Sequence, residues 1–137
     1  VRSIACSHHK KNCKYDGTCG CNSFSGAIQC KGYALYIGYR YYLSDPRGWS
    51  VVDCTSMTNV QKAGAISLLK PGDIIHYNNH YIFVTSITSD MSSFYFTDVN
   101  NNSVCGIRWG GNYKFSDFSG GSSENLRQII KAPYVLL

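Results

Sequence analysis

The chain has 137 residues, 44% of them hydrophobic and 15% charged, with a formal net charge of +5. That length fits one domain with its own core, and the hydrophobic share excludes a disordered chain. No apolar run of about eighteen residues exists, which excludes a membrane-spanning helix; the scattered basic residues lack interleaved aromatics, so no nucleic-acid partner is expected.

Residues 1–24 are rich in Cys, Lys, Asn and Gly without periodicity. They read as an extended, cross-linked segment wrapping a domain at 25–137. Val1 to Cys6 lack the apolar stretch of a signal peptide, so the leader of an exported protein has been removed or lies outside this chain. A helix is predicted over 26–43. Ile28, Leu35, Tyr39 and Tyr42 share one face with Ala34 flanking, Asn22, Ser23 or Ser25 supplies the cap, and Asp45-Pro-Arg-Gly48 is the stop. Trp49 to Leu69 is ambiguous, with a short helix or strand around Val60–Leu69.

Lys70-Pro-Gly-Asp73 makes a turn into a strand, Ile74–Tyr77. Asn78-Asn79 is a two-residue hairpin turn, because Asn tolerates positive φ, and the return strand covers 80–88. Further strands are predicted over 93–99 and Val104–Trp109, after which Gly110-Gly-Asn112 breaks the sheet. Gly120-Gly-Ser-Ser123 leads to a short helix near Glu124–Ile129, and Ala132–Leu137 is a final edge strand. A helix packed on a mostly antiparallel sheet of hairpins is α+β.

Seven cysteines exceed ordinary cytosolic usage. An odd count in an oxidising compartment leaves one thiol unpaired, and Cys30 is the natural one. Cys6, Cys13, Cys19, Cys21, Cys54 and Cys105 could then pair among themselves, in a connectivity the sequence does not choose. Zinc is the competitor, through Cys6, His8, His9, Cys13, Cys19 and Cys21. The spacing offers no pair of CxxC motifs, so disulfides are preferred, His8 and His9 read as solvated loop residues, and no metal or other cofactor is expected.

Cys30 stands in the first turn of the predicted helix, where unsatisfied N–H groups favour a thiolate. His80 opens a strand. Asp98 and Asn100 are two apart on another strand and share a face. A thiol on a helix, an imidazole and a carboxylate or amide on neighbouring strands are the parts of a thiol-nucleophile hydrolase. A cysteine in an apolar helix is more often a small core residue, which is the competing reading. His76 is a rival imidazole but sits inside a strand, as a structural or groove-lining group. Asp73 reads as a turn residue. Trp49, Trp109 and Tyr113 could wall a substrate groove or simply pack.

At these residues the chain resembles the CHAP family of cysteine amidases and peptidases, which belongs with the NlpC/P60 peptidases to the papain-like group. Gln29-Cys30 followed by Tyr33-Ala34 is similar to the family's Gln-Cys helix start. Leu69-Lys-Pro-Gly-Asp-Ile-Ile-His-Tyr77 is similar to its lead-in to the central hairpin, and His80-Tyr-Ile-Phe-Val84 to its histidine strand. Thr97-Asp98-Val99-Asn100 is similar to the strand where the family keeps an acid and an Asn two apart. The matches span roughly 25–109. Asp98 is shorter than the family's usual Glu, and the Cys-rich start is not a general family feature, which points to a specialised subgroup.

The resemblance implies a papain-like fold and a secreted thiol hydrolase that cuts peptide or amide bonds in bacterial peptidoglycan. Cys30 would attack, His80 would move the proton, and Asp98 or Asn100 would orient the ring. The Cys30 N–H and the Gln29 side chain are the oxyanion candidates. The basic surface fits an anionic wall. Two alternatives stand beside this: a secreted effector or toxin that cleaves a protein, and a non-catalytic disulfide-rich binding module with Cys30 buried or paired.

Overall fold

Tyr33, Ala34, Leu35, Gly38 and Tyr42 turn one side of helix α1 (Cys30–Tyr42) into a buried stripe. The computed structural model describes residues 30–99, 107–119 and 124–134. The 1–24 segment, the three capping candidates, Ile28, Gln29, Asn100 and Cys105 lie outside these. Tyr39, expected on the buried face, is instead 37% exposed. Ala34, Gly38 and Tyr42 form one buried row, spaced four apart, as helix geometry requires of residues stacked on one face. Gly38 lets the chain that follows the helix fold back against it: a Cβ there would lie 2.8 Å from Pro46 and 3.1 Å from the Trp49 ring.

The described residues form two helices and one six-stranded antiparallel sheet, so the class is α+β. The strands are β1 (Ser50–Asp53), β2 (Ile74–Tyr77), β3 (His80–Ile87), β4 (Ser93–Val99), β5 (Ile107–Lys114) and β6 (Leu126–Lys131). Their spatial order is β1-β6-β2-β3-β4-β5. Alternation along the strands sends Ile74, Phe83 and Ile130 toward α1, where they meet Ala34, Leu35 and Tyr42. The opposite face carries the larger cluster, with Ile75, Ile82, Val84, Phe94, Phe96 and Ile129. Helix α2 (Asn59–Ser67) covers that face through Ile66, and Phe118 joins it. Each such side chain stabilises the fold by about 1.5–3 kcal/mol relative to exposure. A capping box between Thr58 and Gln61 starts α2, which resolves the ambiguous 49–69 stretch into a strand and a helix.

Three expectations are corrected. The segment near Glu124–Ile129 is a strand, not a helix. β6 lies between β1 and β2, so apolar residues are buried on both of its faces and its alternation is blurred. The strand placed at Ala132–Leu137 is therefore displaced, and β6 ends at Lys131. Gly110-Gly111 does not break the sheet either. β5 runs through it with a shift of register, pairing Phe96 with Gly111 but Asp98 with Arg108. Gly110 takes φ 74°, and a Cβ on Gly111 would come within 2.5 Å of the Phe96 ring. The glycines make a bulge rather than an end.

Asp73 is a buried clamp. Its carboxylate accepts from Lys70 Nζ at 2.7 Å, Lys131 Nζ at 2.5 Å, the Lys70 N–H at 3.0 Å and the Ala132 N–H at 2.8 Å. It joins the lead-in of β2 to the end of β6.

Candidate active site

A tight turn presents the imidazole. Tyr77 pairs with His80 across Asn78-Asn79, and Asn78 takes φ 48°, as the sequence predicted for this two-residue connection. The tip is tied down. The Asn78 side-chain amide donates to Glu124 at 2.6 Å, and its carbonyl oxygen accepts from the Asn125 N–H at 2.9 Å. The edge of the Tyr77 ring meets the His80 ring at 5.8 Å.

From that position His80 Nε2 lies 2.7 Å from Asp98 Oδ2. The Cys30 thiol, unpaired and half-buried at the first described residue of α1, is the other group that acts on the ring, favouring its charged form. With Nε2 taken by the carboxylate, Nδ1 is the nitrogen left for sulfur. Imidazole and carboxylate are therefore bonded to each other, and the sulfur acts on the same ring.

The carboxylate is held from its other side. Arg108 Nε donates to Asp98 Oδ1 at 3.0 Å and Nη2 to Oδ2 at 2.7 Å, a bidentate fork. The guanidinium also sits 4.9 Å from the centre of the Phe96 ring. One strand away, the Thr97 hydroxyl donates to the Arg108 carbonyl at 2.8 Å and meets the Tyr33 hydroxyl at 3.0 Å, linking α1, β4 and β5.

Burial works against charge on the His80 ring. The bond to Asp98 and the influence of the Cys30 sulfur outweigh it and push the pKa up to about 9. Burial alone would raise the Asp98 pKa, but His80 and Arg108 hold it below the ordinary carboxylate value. The bond to Asp98 raises that of Arg108. His76 goes the other way: burial, then the charges of Arg127 and Lys31, bring it down to about 4.

The other expected site residues divide. Gln29 and Asn100 lie outside the described residues. Tyr113 stacks on Phe96 at 5.3 Å and its hydroxyl meets that of Tyr77 at 3.1 Å. Trp49 sits edge-on to Tyr42, at the end of α1 remote from Cys30, with its indole N–H donating to Ser44. Trp109 is 59% exposed beside Arg108. Cys54, expected in a disulfide, is an unpaired buried thiol 3.6 Å from the Val52 carbonyl oxygen. His76 lines a cleft and stacks on Tyr81 at 4.1 Å. Among the described residues, no group of three or more His, Cys, Asp or Glu is placed to share a metal ion, and no helix is long and apolar enough to cross a membrane.

Arg108 is the functional residue that sequence reasoning missed, as one scattered basic residue among many. Its signal was register: a strand continued through the glycines brings it opposite Asp98. No protein-family model, no curated protein and no solved structure matches this chain.

Proposed function

We propose that this protein is a thiol hydrolase of the papain-like CHAP type, secreted, and acting on peptide or amide bonds of bacterial peptidoglycan. The observation that carries the reading is His80 bonded at 2.7 Å to the buried carboxylate of Asp98, with the unpaired Cys30 thiol acting on the same ring. The chemistry follows from that chain of contacts. The Cys30 thiolate attacks the carbonyl carbon, and the tetrahedral oxyanion is received by the Cys30 N–H and the Gln29 side chain. The C–N bond breaks as His80 gives its proton to the leaving amine, leaving a thioester on Cys30. Water, deprotonated by His80, then attacks the thioester, releasing the acid and restoring the thiol. Asp98 keeps the ring oriented through both steps.

Two measurements test this. Purified cell walls digested by the wild type should yield new fragments by mass. Cys30→Ser should lower that cleavage by about a thousandfold or more while the circular dichroism is unchanged. Iodoacetamide should label Cys30 near neutral pH much faster than it labels a free cysteine. Equal digestion by both proteins removes Cys30 as nucleophile. A native thiol that resists alkylation favours the non-catalytic binding module instead.

A further inference from the structure

Next to the His80 strand position lies a cleft of about 510 Å³, whose lining includes Tyr81, His76, Gln128, Asp53 and Arg127. Register explains why these residues meet. Tyr81 pairs with His76 across β3 and β2, His76 with Gln128 across β2 and β6, and Gln128 with Asp53 across β6 and β1. They form a straight row across four strands, starting one residue from His80. The Tyr81 and His76 rings are parallel within 8°, and the Tyr81 hydroxyl reaches toward Gln128 at 3.5 Å. Arg127 is the extra residue of a bulge, because Tyr77 pairs with Leu126 while His76 pairs with Gln128. A bulge beside a site re-aims a side chain, here the guanidinium into the cleft.

Charge is distributed unevenly along the row. At the inner end Lys31 Nζ stands 5.7 Å from the centre of the Tyr81 ring. Lys31 follows Cys30 directly in α1, so its place over Tyr81 sets this end of the cleft nearest the thiol, and Lys31 and Arg127 both disfavour a charge on His76. The lining carboxylate, Asp53, closes the outer end and is committed through Oδ1 to the Thr55 N–H and hydroxyl.

We propose that this cleft is the substrate groove of the thiol site, and that its inner half, between Lys31 and Arg127, receives a carboxylate of an extended peptide. The inference rests on the hydrolase reading and supplies its substrate class: an acidic peptide, bound with the negative group close to the bond that is cut. The neutral His76 ring and Tyr81 form the flat floor, and Gln128 offers polar contacts to the peptide.

The test uses the full chain as Cys30→Ser, which binds without cutting. The probes are blocked alanine tetrapeptides with one Glu moved through each position, and matching peptides with Gln. At one position or more, the Glu peptide should bind about tenfold more tightly than its Gln twin, the effect of one hydrogen bond to a charged group. The His76 ring resonances should move on binding. A second change, Arg127→Gln, should erase the preference, and Arg127→Lys should keep most of it. Twins that bind alike, no binding by any peptide, or a preference indifferent to Arg127→Gln each overturn the proposal. If wall digestion depends on Cys30 but no Glu preference exists, the groove assignment fails and the hydrolase stands. A Glu preference without any wild-type hydrolysis keeps the carboxylate site and removes the hydrolase.

Discussion

At His80 two opposing influences meet, and their balance fixes how the site responds to pH. The ring's folded pKa of about 9 lies above its ordinary 6.5, so its contribution to stability is fully present below 6.5 and disappears as pH rises through about 9. In the proposed reaction the same proton is the one handed to the leaving amine. The rate kcat/KM should therefore fall on an alkaline limb near 9, and a limb near 6.5 would mean that Asp98 and Cys30 do not hold the ring as described. Asp98 has the opposite sign. Its pKa is depressed, so its contribution is present above the ordinary carboxylate value and lost as pH falls through the lower folded one. Arg108→Gln removes two charge-assisted bonds from that carboxylate. In the variant the Asp98 carboxyl carbon should titrate at higher pH by NMR, with Arg108→Lys restoring part of the shift; an unchanged titration would deny Arg108 a positioning role. Cys30, His80 and Asp98 were legible in the sequence because each carries a local signal: a helix pattern, a turn, a strand. Arg108 carried none, since its role exists only across a bulged ladder.

The hairpin of β2 and β3 was readable for the same local reason. Lys70-Pro-Gly-Asp73 and Asn78-Asn79 dictate where the chain turns, and the apolar runs between them fill two faces. At β5 the glycines signal an end, yet the strand runs on through them. The Phe96 ring lies against Gly111, and only a missing Cβ allows this. Gly111→Ala should destabilise the fold by about 2 kcal/mol, as overpacked cores do. The midpoint of urea unfolding reports it, and an unchanged midpoint would mean that Phe96 moves aside freely. β6 was misread for a different reason. A strand with neighbours on each side and layers above and below loses the polar-apolar alternation that marks an edge, and Leu126, Ile129 and Ile130 then mimic helical spacing.

Across the whole molecule the formal charge of +5 gives attraction to anionic polymers without a dense basic patch. Association with purified walls, measured by co-sedimentation, should weaken steadily as salt shortens the screening length from about 10 Å at 0.1 M to about 3 Å at 1 M. Retention unaffected by salt would assign targeting to shape and hydrogen bonds instead. The order of the strands has a temporal side too. β1 and β2 never touch; β6, last of the six along the chain, is wedged between them. While a ribosome is still translating the earlier strands, β1 has no ladder partner and the row from Tyr81 to Asp53 has a missing rung. Folding must wait for a late, distant pairing, the slow kind of step. A nascent chain is thus kept from having a finished groove until β6 has emerged.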